Sequence, residues 1–373
     1  MHICFLTLGL RPYEDRLYYK EAWSCTHFAD NVTLIGKPAA LPEINYPEIE
    51  VRSFSPNQSM GAILREVLET AQDVHADIYH LNEPHLLLLL RALRKNQPCK
   101  IVYEKRELHG SLIRFYSQSP AIKKYPISWM IDSLEFFGRQ FVDGLVFDSD
   151  PLYKDYKSMK KPGVLIQNYP RLDLFEDLEH REPEEFVILY QGQIGKTRKL
   201  ERLLEGFSRF NQKHDAGIIK FVGAVTPPDY LRELKTLSEK LGISHRVEFF
   251  PPVPHAQMPE ILSNASVGVM ALSTDPIITR KVQIKMFEYM LAQLPIITAT
   301  HPAAEYFIGE TNSGRILENP TPQNVANALE YLYNHPEERR AMGQRGQKRV
   351  QTEWNWSTME PELQRFYEQV LES

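Results

Sequence analysis

Cysteine is scarce in this chain. Three residues, Cys4, Cys25 and Cys99, lie far apart among 373 positions. There is no CxxC pair, and no histidine stands at a zinc-ligand spacing from any of them. That argues against a disulfide scaffold and against a structural zinc site, and a reducing cytoplasm is the simplest expected location. Long apolar runs are missing too. Ile3 to Leu10 is far short of the roughly 20 residues a spanning helix needs, and it carries neither a basic leader nor a small-residue cleavage site. It reads as a first buried strand, ending at Gly9 in a turn that lets backbone approach a ligand closely. Basic charge is not in excess: 43 Lys and Arg stand against 48 Asp and Glu, for a net charge of −5. The cations are dispersed, with no stripe interleaved with stacking aromatics, so nucleic acid is not an expected partner. No repeat and no low-complexity block is visible.

Strand-like runs alternate with helical patterns, which predicts βαβ units and parallel sheets. Candidate strands fall at 3–8, 31–36, 77–81, 100–104, 144–148 and 164–167. A second set falls at 186–190, 218–223, 246–250, 266–271, 295–299 and 314–317. The seam Pro170 to Glu185 is acidic and lacks apolar periodicity, so it reads as a linker. The expected division is 1–170, 171–352 and a terminal segment 353–373, in which Met359, Leu363, Phe366 and Val370 form one helical stripe. The five leucines 86–90 read as a buried helix after Asn82-Glu83-Pro84. The class is α/β with doubly wound sheets, whose ligands sit beyond the carboxyl ends of the strands.

Two segments carry chemistry. Phe186 to Tyr190 is a continuous apolar run of the kind seen in a strand covered on both faces. It breaks at Gln191-Gly192-Gln193-Ile194-Gly195-Lys196-Thr197-Arg198-Lys199, after which Leu200, Leu203, Leu204 and Phe207 recur at helical spacing. A strand, a glycine-containing cationic turn and a helix together make an anion site. Gly195-Lys196-Thr197 matches the end of a P-loop, but that pattern needs a glycine where Tyr190 stands. The second segment is Lys285-Met286-Phe287-Glu288-Tyr289-Met290, running into Leu294-Pro295 and an apolar strand. Its spacing leaves Glu288 open between a solvated helix face and a buried carboxylate. If buried, the carboxylate needs a polar partner, and a ribose diol suits it. Asp148-Ser149-Asp150 has the DxD form of a metal-nucleotide site, yet it ends an apolar run and precedes Pro151, which favours a helix N-cap. No required metal is expected. His80, His85 and His109 have no nucleophile beside them, so a triad hydrolase has no support.

In their order and spacing these segments resemble the retaining glycosyltransferases of family 4, which have the GT-B fold of two Rossmann-like domains facing a central cleft. Tyr190 to Phe207 resembles the donor-phosphate turn, Ser266 to Asp275 the strand and loop before the donor helix, and Phe287 to Met290 the nucleotide-sugar helix. Tyr13 to Trp23, Asn31 to Ile35, Asp77 to His80 and Ile101 to Tyr103 resemble elements of the acceptor domain, and Trp354-Asn355-Trp356 the tryptophan-containing C-terminal segment. The resemblance implies metal-independent transfer of a sugar with retention, no cofactor, and a UDP-linked sugar as donor. It implies that Arg198 and Lys285 stabilise the leaving diphosphate, with Gln193 and backbone N–H groups after Gly9 and around Gln283. It places Glu288 on the ribose and Val253 at the base, and makes the C-terminal helix cross back onto the first domain.

Several positions depart from the family pattern. Arg280 stands where a donor-contacting Glu is usual, Arg106 (followed by Glu107) where a donor-face His is usual, Gln193 for an Arg and Gln293 for a Gly. Arg280 and Arg106 would suit a uronic-acid carboxylate. Two alternatives follow from these departures: a degenerate domain that binds nucleotide or a partner without turnover, and a nucleotide-sugar epimerase of related fold. The expected acceptor is a glycan or lipid-linked oligosaccharide in polysaccharide assembly. Residues 111–141 mix Leu112, Phe115, Tyr125, Trp129, Met130, Phe136 and Phe137 with Arg114, Lys123, Lys124 and Arg139. They read either as helices packed in the core or as a peripheral surface at the inner face of a membrane.

Overall fold

A computed structural model describes the chain except residues 41, 43, 118, 157–159, 177, 179–180, 254–256 and 276–281. The chain divides into two units, Met1–Asn168 with Trp356–Ser373, and Tyr169–Asn355. Each holds one wholly parallel sheet.

In the first unit seven strands run in the order β3-β2-β1-β4-β5-β6-β7. They are β1 His2–Leu6, β2 Asn31–Gly36, β3 Ile49–Ser53, β4 Ile78–Leu81, β5 Lys100–Lys105, β6 Gly144–Phe147 and β7 Gly163–Leu165. Alternation along β1 explains why both faces are apolar. Cys4 and Leu6 pack toward Leu64, Val67 and Ala71 of the helix Met60–Val74, whereas Ile3 and Phe5 pack toward Leu363, Phe366, Tyr367 and Val370 of the helix Glu360–Glu372. Gly144 is required for that second layer, since a Cβ there would lie 2.6 Å from Val370 and 2.7 Å from Phe366. Trp356 fixes the returning chain by donating its Nε1–H to Ser24 Oγ at 2.7 Å, and Ser24 donates in turn to Glu360. Strand β3 was not among the expected strands. It is a short edge strand whose Glu50 and Arg52 pair with each other at 2.8 Å, so its apolar signal is weak. The leucine run begins as a 3₁₀ turn, Pro84–Leu89, before the helix Leu90–Asn96, and this leaves Leu88 exposed rather than buried.

In the second unit the order is β10-β9-β8-β11-β12-β13. The strands are β8 Val187–Gln191, β9 Ile218–Val222, β10 Val247–Phe250, β11 Val267–Val269, β12 Ile296–Ala299 and β13 Gly314–Leu317. Ile188 and Tyr190 pack with Leu203, Leu204 and Phe207 of the helix Glu201–His214. Strand order reverses between β1 and β4 in one unit and between β8 and β11 in the other, and such reversals are where doubly wound sheets take ligands. The Asp148-Ser149-Asp150 segment caps a helix: Ser149 carbonyl accepts the Tyr153 N–H at 3.1 Å, and the helix runs Asp150–Tyr156. Among the described residues no helix is long and apolar enough to cross a membrane.

Candidate functional site

The reversal in the second unit gathers Arg198, Gln283, Lys285 and Glu288 of the expected donor residues. Strand β8 ends at Gln191, and the turn beyond it is shaped by Gly192, whose φ of +108° suits glycine. A Cβ on Gly192 would come within 2.9 Å of Lys285 Nζ. The turn Lys196–Arg198 follows, then Lys199 in the left-handed region, then the helix Glu201–His214. The loop after β11 is tied to this turn: Leu272 N–H donates to Arg198 O at 3.0 Å, and Arg202 donates to Leu272 O at 2.8 Å.

The helix Ile284–Leu291 starts at Gln283 and brings Lys285 and Glu288 beneath the end of β8. Lys285 Nζ donates to Gln191 O at 2.7 Å and lies 4.6 Å from the centre of the Tyr190 ring. Burial, then the nearby charge of Arg198, lowers its pKa to about 7, against the opposing pull of Glu288. Glu288 is buried and accepts from Gln191 Nε2. That places its carboxylate in the interior, not on a solvated face. Tyr289 completes the frame, accepting the Gln191 N–H at 2.9 Å and donating to Val269 O at 3.2 Å. Gly268 makes room for it, because a Cβ there would strike the Tyr289 ring at 2.6 Å. Two buried polar atoms here, Arg198 Nε and Gln191 Oε1, have no hydrogen-bond partner among the described residues. Such orphans beside a cationic cluster are what a polar ligand would satisfy.

The other expected positions are distributed more widely. Gln193 is exposed at the turn, its carbonyl accepting from Tyr190 OH at 2.8 Å. Val253 is half-buried beyond β10, and Arg280 lies outside the described residues. Gln293, which stands where the resemblance led glycine to be expected, adopts φ +56° just after the helix, with Leu294 N–H donating to Tyr289 O at 2.9 Å. Gln293→Gly is expected to raise the free energy of unfolding by about 1 kcal/mol. Denaturant titration measures this, and an unchanged or lower value would show that the left-handed backbone is not what this position costs.

In the first unit two expectations need correction. The backbone N–H groups at and after Gly9, expected to help hold the diphosphate, are taken by Glu83. That carboxylate accepts from Leu8, Gly9 and Leu10 N–H at 2.9, 2.9 and 3.2 Å, and from Thr7 Oγ1 at 2.8 Å. Arg106, expected at the donor sugar, is instead buried among acids. Its guanidinium donates to Glu104 at 2.6 Å, Glu14 at 3.1 Å and Glu21 at 3.2 Å. Arg16 joins from the other side, 2.7 Å from Glu104 and 2.8 Å from Glu21. Burial favours protonation of Glu104, but Arg106 and Arg16 override it and hold the carboxyl well below the usual range. For Glu21 burial wins over Arg16, and its pKa is pushed up to about 8. Glu21, His80 and Glu104 place three possible ligand atoms within 4.8 Å, yet the two guanidiniums already supply the positive charge a metal would bring. Glu107 follows β5 and is half-buried.

Residues 173–349 match the family described as Glycosyl transferases group 1. The chain is 21% identical over 308 residues to the putative glycosyltransferase EpsD of Bacillus subtilis, covering 77% of this chain and 75% of that one. Among solved structures it resembles sucrose-phosphate synthase from Thermosynechococcus elongatus, with a TM-score of 0.77 and 16% identity over 100% of this chain and 99% of the other. Anabaena HepE, solved in complex with UDP-glucose, has a TM-score of 0.73 and 15% identity over 99% of each chain. These likenesses establish the GT-B fold. The matched residues 173–349 fall within the unit that holds Arg198, Lys285 and Glu288.

Proposed function

We propose that the protein transfers a hexosyl unit from a UDP-sugar to a glycan or lipid-linked acceptor, with retention at the anomeric carbon and without a metal. The observation that carries this reading is the cluster at the end of β8: two basic side chains, Arg198 and Lys285, near a buried carboxylate, Glu288, with Arg198 Nε and Gln191 Oε1 left without a hydrogen-bond partner among the described residues. Departure of a diphosphate builds charge on its oxygens, and fixed cations are the means of stabilising it. The fork of Arg198 suits a bidentate phosphate contact. Glu288 keeps acceptor capacity for a ribose diol while bonded to Gln191. HepE, of the same fold, takes UDP-glucose, which supports a uridine donor. A lipid-linked acceptor would be met at a membrane, with the protein peripheral on its cytoplasmic face and the product an extending polysaccharide.

UDP release from a panel of UDP-, GDP- and ADP-sugars tests the reading. One donor should release its nucleotide, and Arg198→Ala and Glu288→Gln, the latter keeping the side chain's shape, should each abolish release. Tight nucleotide binding without release from any donor, tried with acceptor mixtures, would favour the degenerate reading. Conversion of the donor sugar without UDP release would favour an epimerase. A uronate donor loses part of its support, since the guanidinium of Arg106 is already engaged by Glu104, Glu14 and Glu21.

A further inference from the structure

The segment between 109 and 141 folds as two helices, His109–Tyr116 and Ala121–Gly138, packed against each other in the first unit. A globular unit hides its large apolar side chains where it can, and contiguous exposed patches mark contact surfaces. Among the described residues fifteen large apolar side chains are exposed, and nine of them lie in this hairpin and the turn after it. The longer helix buries one narrow face, Ser128, Ile131, Glu135 and Gly138. Its outward face carries Ile122, Tyr125, Trp129, Met130, Phe136 and Phe137, with Trp129 and Phe137 each 63% exposed.

The charges decide what such a face meets. Neither acid of the hairpin is left unmatched: Asp132, half-exposed, pairs with Arg114, and Glu135 is buried against Lys105, Tyr103 and His109. Lys123 and Lys124 lie at the start of the long helix with no ion pair among the described residues, and Lys124 sits 5.7 Å from the Tyr125 ring. The outward surface is therefore apolar and aromatic with unmatched positive charge at one end. Aromatic rings favour the interface between headgroups and hydrocarbon, and lysines favour anionic lipid. The charged residues in the long helix keep it from spanning a bilayer, so a position in the interface plane is the remaining arrangement.

We infer that this hairpin docks the first unit onto an anionic lipid surface, with Trp129, Met130, Phe136 and Phe137 entering the headgroup boundary and Lys123 and Lys124 on acidic headgroups. This deepens the lipid-linked reading of the acceptor, but it stands on the surface alone and survives if that reading fails. A second copy of the chain is the competing occupant, and the unmatched lysines argue against it, because a self-pairing face brings like charges together.

The protein carries its own reporter. Of its four tryptophans, Trp354 and Trp356 are buried and Trp23 is half-buried, so Trp129 is the one that a surface contact desolvates. With vesicles of phosphatidylethanolamine and phosphatidylglycerol, the full-length protein should float, and its tryptophan emission should shift to the blue. Phe136→Glu/Phe137→Glu, which keeps the reporter, should float about tenfold less, with an unchanged unfolding midpoint because both side chains already face outward. Lys123→Ala and Lys124→Ala should each weaken binding to these vesicles about fivefold and leave weak binding to phosphatidylcholine alone unaltered. No flotation and no blue shift would overturn the proposal. So would a dimer by light scattering that Phe136→Glu/Phe137→Glu converts to monomer. UDP release measured without vesicles reports separately on the transferase reading.

Discussion

Lys285→Ala lowers kcat/KM for nucleotide-sugar turnover by about 100- to 1000-fold, the loss expected when one fixed donor to a developing oxyanion is removed. The effect is large because the ammonium is held, not floating: it donates to Gln191 O at 2.7 Å, lies over Tyr190 and stands beside Arg198. Its titration gives a second readout. Burial and the neighbouring guanidinium lower the Lys285 pKa to about 7, below the 10.5 of an unstrained lysine. Between those two values the unfolded chain holds a proton that the fold does not, so this group makes stability rise with pH across that window. Below about pH 7 the fold carries the whole cost of the buried charge. A bound diphosphate reverses the balance by favouring the charged form, so binding takes up a proton. UDP affinity should therefore fall above about pH 7, by at most about tenfold per pH unit. Calorimetry in buffers of different ionisation enthalpy detects the proton directly. In Lys285→Met both the uptake and the pH slope should vanish; if they persist, another group titrates with the ligand.

The cluster at the end of β8 was legible in the sequence as a group of neighbours because its pieces are local. A strand, a glycine-containing turn and the start of a helix occupy one stretch from Phe186 to Phe207, and Lys285 and Glu288 share one helix. What stayed hidden is held by long-range bonds. Gln191 gains its meaning from Glu288, 97 positions away, and Tyr289 from the ends of β8 and β11. Glu83 closes the Gly9 turn from 74 positions away, and nothing in its own neighbourhood signals that. The hairpin at 109–141 stayed ambiguous for another reason. Aromatics at helical spacing read alike whether they face a core or a partner, and only the packing shows which way Trp129 and Phe137 point.

Arg106→Ala should cost the first unit about 3–5 kcal/mol of stability, the penalty for leaving buried acids short of a partner. The sequence pattern placed this residue at the donor sugar, where its loss would alter KM for one donor and leave the fold alone. The structure reverses that expectation, because the guanidinium is spent on Glu104, Glu14 and Glu21 and its side chain is only 10% exposed. Glu14 and Glu21 come from the segment after β1, 92 and 85 positions earlier, so the arginine clasps that segment to the end of β5. Arg106→Lys keeps the charge but loses the three-way fork, and an intermediate loss is expected. Arg106→Ala/Glu104→Gln should recover part of the stability, since one fewer buried acid is then left unmatched. Denaturant unfolding of the unsubstituted protein, Arg106→Ala, Glu104→Gln and the double variant gives the coupling energy. A stable Arg106→Ala protein with a shifted preference between UDP-glucuronate and UDP-glucose would return the residue to the sugar and make the ion network incidental.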